Sequence, residues 1–167
     1  MEKFQLSIYD TKSRSNQIVS SANGREIRIY CCGPTVYRDA HVGNLRTFLL
    51  SDLVVRTLNC LGRATLVVQN ITDVGHMTDD HSEDKLLSQS TIEKVDPIAI
   101  ARKYEERFNS DLVALNIRPA DHNPRASECI EMMQAHISKL IELCSAYIGS
   151  DQTFYFAAES FPTYVGL

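Results

Sequence analysis

The stretch that decides the fold runs Glu26-Ile27-Arg28-Ile29-Tyr30-Cys31-Cys32-Gly33-Pro34-Thr35-Val36-Tyr37-Arg38-Asp39-Ala40-His41-Val42-Gly43-Asn44. Its first six residues alternate polar and apolar, as a half-buried strand does. Gly33-Pro34 breaks the alternation. From Gly43-Asn44 a helical period opens, with Leu45, Phe48, Leu49 and Leu53 expected on one face. Gly62 after Leu61 is a helix stop. Ala64-Thr65-Leu66-Val67-Val68-Gln69 is then apolar and β-branched, like a buried strand. Strand, helix and strand in this order predict a βαβ unit, hence a parallel pair with a right-handed crossover.

Downstream, Asn70 to Thr91 is polar and acidic and reads as mostly loop. A second helix opens at Asp96-Pro97, a cap followed by proline at the first helical position. It should reach about Leu115, with Ile100, Tyr104, Phe108, Leu112 and Leu115 facing the core. A third helix follows Asn123-Pro124, with an apolar stripe of Ile130, Met133, Ile137, Leu140, Ile141 and Cys144. Met132 and Met133 read as core fillers. Ala146-Tyr147-Ile148 and Thr153-Phe154-Tyr155-Phe156 flank Gly149-Ser150-Asp151-Gln152 as a β-hairpin.

The whole chain has 167 residues, 44% hydrophobic and 23% charged, a balance that excludes general disorder and suits one domain. No apolar run approaches the roughly 20 residues of a membrane helix, and the first residues lack a signal-peptide layout. The cytoplasm is therefore the expected compartment. The net charge of −4 is uneven, +4 over residues 1–63 and −8 over 64–167. That argues against non-specific nucleic-acid binding and leaves room for a local anion site in the first third. The five cysteines predict no disulfide framework. Cys60, Cys129 and Cys144 read as small core residues, and Cys31 as facing the core. His76 and His81, with Asp73, Asp79, Asp80, Glu83 and Asp84, fit no compact ligand pattern and read as a solvated acidic loop.

Ligands of open α/β sheets bind beyond the carboxyl ends of the strands, where a helix N-terminus offers free N–H groups and partial positive charge. His41 and Asn44 stand at such a place and can both donate to a phosphate, while Gly43 allows close approach. Taken alone, His-x-Gly-Asn is a weak signal and favours an ordinary helix start, with Asn44 as the cap and His41 as a loop residue.

The surrounding residues resemble a known family. His41-Val42-Gly43-Asn44 resembles the HIGH signature of class I aminoacyl-tRNA synthetases, with Asn at the fourth position. Tyr30 to Tyr37, Asn70-Ile71-Thr72-Asp73-Val74-Gly75-His76, Leu115-Asn116-Ile117-Arg118-Pro119, Pro124-Arg125-Ala126-Ser127 and Ser160-Phe161-Pro162-Thr163-Tyr164 are similar to stretches of the cysteinyl-tRNA synthetases. They occur in the family's order, starting from Ile8-Tyr9-Asp10-Thr11.

The resemblance implies a Rossmann-like (HUP-type) parallel sheet with flanking helices. Residues 1–167 would form the first half of the nucleotide-binding fold, and about 146–167 the start of the connective insertion. It implies ATP-dependent activation of L-cysteine and transfer to tRNA(Cys), with magnesium accompanying ATP. His41 and Asn44 match the catalytic pair on the ATP phosphates. Thr35, Gly43 and Thr47 match further ATP-binding positions, and Gly33, Asn70, Ile71 and Thr72 match the cysteine and adenylate pocket. Cys32 matches the first ligand of a catalytic zinc, an ion that prefers thiolate to hydroxyl and so separates cysteine from serine. The other zinc ligands, the KMSKS loop and the anticodon-binding region lie in parts of the family beyond this stretch, so weak or no ligase activity is expected of these residues alone. Two other functions share the motifs. One is a cysteine:amino-sugar ligase of the mycothiol type, and the other a non-catalytic truncated paralogue.

Overall fold

The computed structural model describes residues 4–21, 24–75, 84–161 and 164. The elements are β1 (Ser7–Asp10), β2 (Ser15–Ile18), β3 (Ile27–Cys31), α1 (Val42–Cys60), β4 (Thr65–Gln69), α2 (Lys85–Glu93), α3 (Pro97–Ala114), α4 (Ile130–Glu142), β5 (Ala146–Ile148) and β6 (Phe154–Phe156). The fold is mixed α/β, and among the described residues the strands form three small two-stranded sheets.

The predicted βαβ unit is present. β3 and β4 run parallel, in register from Ile27 opposite Thr65 to Cys31 opposite Gln69, with α1 between them in sequence. Beyond the strands the two chains stay together. Thr72 N–H donates to the Pro34 carbonyl at 3.0 Å, and Val36 N–H to the Thr72 carbonyl at 3.2 Å.

The other edge of β4 is covered by the extended segment 121–126. His122 accepts from Gln69 N–H and Pro124 from Ile71 N–H, both at 2.9 Å. This run forms isolated parallel bridges but no regular strand. Pro119 and Pro124 carry no N–H to donate. Side chains fill the gaps: Asp121 Oδ2 accepts from Val67 N–H at 2.7 Å, and Asn123 Nδ2 donates to the Gln69 carbonyl at 3.1 Å.

Of the predicted stripe α1 buries Phe48 and half-buries Leu45, but Leu49 and Leu53 are exposed, and Asp52, Val55 and Leu58 are buried in their place. Both stripes have helical spacing. The structure turns the Asp52 side inward because its carboxylate finds partners there, the Arg118 backbone N–H at 3.1 Å and Arg56 Nε at 2.6 Å. α3 begins as predicted, with Asp96 Oδ2 accepting from Ile98 and Ala99 N–H and Pro97 opening the helix. It buries Ile100, Tyr104, Phe108 and Leu112, while Leu115 lies past the last turn and is exposed.

α3 carries two apolar clusters. One joins Val36, Ile71, Leu86, Ile100, Ala101 and Tyr104. The other joins Phe48, Phe108, Leu112 and Ile117, its Phe48 and Phe108 rings meeting edge to face at 4.9 Å. Cys31 packs against the second cluster, and burial pushes its thiol pKa up despite a hydrogen bond with Ser51.

Several expectations need correction. The predicted loop up to Thr91 contains α2, capped by Asp84 Oδ1, which accepts from Leu86 and Leu87 N–H at 2.8 and 3.1 Å. Its polar sequence hid it, since only Leu86 is buried. Asp73 is buried, not solvated, and accepts from Ser127 N–H at 2.8 Å and Ser127 Oγ at 2.6 Å. His76, Asp79, Asp80, His81 and Glu83 lie outside the described residues. α4 has its apolar stripe but buries none of it, and Met132 and Met133 are exposed. Cys60 and Cys144 are exposed and Cys129 half-buried, because these helix ends run past both clusters.

The C-terminal hairpin matches its prediction, β5 pairing with β6 from Ala146 opposite Phe156 to Ile148 opposite Phe154. The β1–β2 hairpin went unread, since Ser15-Asn16-Gln17-Ile18 is polar and unpatterned. Among the described residues, no helix is long and apolar enough to cross a membrane.

Candidate functional site

The carboxyl ends of β3 and β4 are drawn together by one side chain. Asn70, directly after β4, accepts through Oδ1 from Gly33 N–H and from Tyr30 Oη, both at 2.9 Å. Its Nδ2 donates to Thr72 Oγ1 at 3.2 Å. The approach is so close that a Cβ on residue 33 would sit 1.4 Å from the Asn70 carbonyl oxygen. Only glycine fits there. The loop after β3 is thereby bent over the start of α1.

α1 opens on a reciprocal cap. His41 Nδ1 accepts from Gly43 N–H at 3.1 Å and Asn44 N–H at 3.3 Å, and Asn44 Oδ1 accepts from His41 N–H at 3.2 Å. His41, not Asn44, is the N-cap, and the pair forms a capping box. Gly43 lets the ring fold back, since a Cβ there would meet two His41 ring atoms at 3.0 Å. The cap engages His41 Nδ1 and Asn44 Oδ1. With Nδ1 accepting, the neutral ring carries its proton on Nε2. The groups of the pair that the cap leaves unengaged, His41 Nε2–H and Asn44 Nδ2, are donors. Donors at a helix N-terminus suit an anion.

Between this helix start and the crossing loop lies a cavity of about 260 Å³. Cys32, Gly33 and Thr35 line it from the loop, and Asn44 and Thr47 from α1, where their three-residue spacing puts them on one face. Tyr104 and Phe108 close it from α3. Cys32 is exposed. Two charged residues contribute, Arg38 and Asp39, and Asp39 is paired with Arg107 at 2.8 Å.

Five residues singled out in the sequence therefore meet in one cavity: Cys32, Gly33, Thr35, Asn44 and Thr47. His41 and Gly43 shape its helical rim without lining it. Asn70 and Thr72 act from behind, as the clamp on the loop. Ile71 stands apart. Its side chain is 1% exposed and its N–H and C=O pair with Pro124 and Ala126, so it belongs to the core.

Arg38, Asp39, Tyr104 and Phe108 were not recognised as site residues. The two aromatics come from α3, far along the chain, and only folding brings them here. Arg38 had a signal, a cation inside the loop that precedes the helix.

Among the described residues, no group of three or more His, Cys, Asp or Glu could hold a metal ion. A zinc centre needs at least three protein ligands. One exposed thiol at the cavity wall does not fit that ion by itself.

The family model for the tRNA synthetases class I (C) catalytic domain matches residues 18–167. A cysteine–tRNA ligase of Chlamydia caviae is 39% identical over 162 residues, covering 97% of this chain and 32% of the relative. Cysteine–tRNA ligases of Chlorobium luteolum and Methanococcus vannielii are 38% and 36% identical, each over 95% of this chain. The chain spans about a third of the length of these curated relatives.

Proposed function

The chain belongs to the family of class I (C) tRNA synthetase catalytic domains, and on that premise we propose that it supplies the ATP- and cysteine-facing half-site of a cysteine–tRNA ligase. The reaction would be attack of a cysteine carboxylate on the α-phosphate of ATP, giving cysteinyl-adenylate and pyrophosphate, then transfer of the cysteinyl group to tRNA(Cys). The observation that carries this reading is the reciprocal His41–Asn44 cap, which turns a helix start into a donor-lined rim beside the cavity.

In this reading the parallel β3–β4 pair, extended by segment 121–126, is the first half of a Rossmann-like sheet, and residues from about 146 begin the connective segment. His41, Gly43 and Asn44 hold the ATP phosphates, which enter with magnesium as part of the substrate. Thr35 and Thr47 contribute hydroxyls from opposite walls. Gly33, with Asn70 and Thr72 behind it, shapes the cysteine and adenylate pocket. The protein's share of the chemistry is positioning and charge stabilisation. Cys32 offers one thiolate toward the zinc that the family resemblance implies. The described residues supply no further ligands, and no step is assigned to that ion.

Titrating ATP into the isotopically labelled chain tests the reading. Amide shifts should concentrate at Gly33, Thr35, His41, Gly43, Asn44 and Thr47, and shifts confined to other surfaces would refute the assignment. Cysteine-dependent ATP–pyrophosphate exchange should be weak or absent for these 167 residues alone, and robust exchange would overturn the half-site reading.

A further inference from the structure

We propose that Arg38 is a phosphate-binding residue of this cavity, supplying the positive charge that the His41–Asn44 rim lacks; the proposal rests on the nucleotide reading above. Two observations carry it. First, Arg38 and Asp39 are the charged residues lining the cavity, and Asp39 is neutralised by Arg107 at 2.8 Å. Second, among the described residues Arg38 pairs with no carboxylate. Its guanidinium instead lies over the Tyr37 ring at 5.2 Å, an arrangement that fixes its position and leaves its N–H fork open.

The chemistry fits a polyphosphate better than a sugar or a base. Guanidinium binds phosphate oxygens through two parallel N–H bonds, which a point charge cannot reproduce. The neutral donors at the start of α1 orient an anion but bring no full charge. Arg38 sits three residues before the cap and on the cavity wall, so it can hold the same phosphate chain from the other side. Tyr37, half-buried against the core cluster that includes Val36 and Ile71, is the platform that keeps the guanidinium in place.

The test compares binding of ATP and of adenosine to the chain by calorimetry at low salt, for wild type, Arg38→Ala, Arg38→Lys and Lys139→Ala. Lys139 removes an equal charge from the exposed face of α4. Arg38→Ala should weaken ATP about tenfold or more and leave adenosine unchanged. Arg38→Lys should recover part of the loss, because charge returns without the fork. Lys139→Ala should bind both ligands like wild type, and thermal melts should show all three variants folded. An Arg38→Ala protein that binds ATP like wild type would overturn the assignment, as would an equal loss for ATP and adenosine, which marks a merely structural role. If wild type binds adenosine but ATP no more tightly, the phosphate role fails while the nucleoside pocket stands. If wild type binds neither, the nucleotide reading itself falls, and this assignment with it.

Discussion

Replacing Gly33 by alanine probes the joint on which the site depends. The added Cβ would lie 1.4 Å from the Asn70 carbonyl oxygen and 2.6 Å from its carbon. Both are backbone atoms next to a strand end, so no side chain can swing away. The loops after β3 and β4 must part until the contact reaches at least 3.0 Å. That displacement breaks the Gly33 N–H to Asn70 Oδ1 bond and strains the two backbone bonds linking Thr72 with Pro34 and Val36. Each such bond contributes about 1 kcal/mol net, so the loss should be about 3 kcal/mol or more. For a chain of this length that lowers the melting temperature by about 6–12 °C. Thermal unfolding followed by circular dichroism measures it. Gly43→Ala is the internal contrast, because its Cβ meets only the His41 ring, at 3.0 Å, and a side chain can yield. It should cost about 1 kcal/mol, the scale of a helix cap. A Gly33→Ala protein that melts with wild type, or above Gly43→Ala, would show that the loops do not cross this closely.

Asn44→Asp keeps the oxygen that caps His41 N–H and places negative charge in the first turn of α1, so stability should be unchanged or rise by about 0.3–1 kcal/mol. The same change swaps a donor for an acceptor at the cavity, and ATP binding should be lost; a variant that binds ATP normally would refute the donor role. Glu93 is held down to about 2 by hydrogen bonds from Lys103, Gln89 and Tyr104, below its ordinary 4.5. A lowered carboxyl stabilises above its unfolded value and loses that contribution as pH falls through the folded one. The α2–α3 latch should therefore open in acid between about 4.5 and about 2, and NMR titration of Lys103→Ala should move the Glu93 midpoint upward. Arg125→Ala removes the fork on the buried Glu105 carboxylate, whose contacts are 2.9 to 3.2 Å. Arg102 remains at 2.9 Å, so urea unfolding at pH 7 should show a loss of about 2 kcal/mol, short of a fully orphaned buried charge. Burial pushes Glu105 up, and Arg125 and Arg102 together hold it below 4.5, so the gap between variant and wild type should narrow as pH falls below that value.

The elements readable from sequence are those whose signal is local. β3 and β4 announce themselves by alternation and by β-branched runs, and a helix opening at Gly43-Asn44 and stopped at Gly62 is the natural connection between them. The rotation of α1 was not readable. Leu49 and Leu53 look more buriable than Asp52, and only the Arg118 N–H and the Arg56 guanidinium, positioned by folding, reverse that preference. α2 was missed for a related reason: its hold on α3 is polar, through Glu93, Lys103 and Tyr104. The site divides along the same line. Cys32, Gly33, Thr35, Asn44 and Thr47 lie within one strand–loop–helix stretch, whereas Tyr104 and Phe108 arrive from a distant helix. Asn70 was noticed as a ligand-facing candidate, yet its visible work is to clamp Gly33, a role with no one-dimensional signature.

Net charge misleads about this site, and the pairing of acids explains why. The net charge is −4, which on its face disfavours any polyphosphate. The acids near the cavity and its supporting core are nevertheless committed. Asp39 is matched by Arg107, Asp52 by Arg56, Asp73 by Ser127 and Arg102, and Glu105 by Arg102 and Arg125. Each pairing withdraws a negative charge from the field that a ligand would meet. What the cavity then presents is the remainder: hydroxyls of Thr35 and Thr47, the amide of Asn44, a helix start and the guanidinium of Arg38. Local pairing, not the sum over the chain, sets the sign of the potential at a ligand's distance, because charges beyond about 10 Å are largely screened. An acidic protein can in this way carry a donor-lined, positively biased recess, and the carboxylates that make it acidic are the groups that hold its walls.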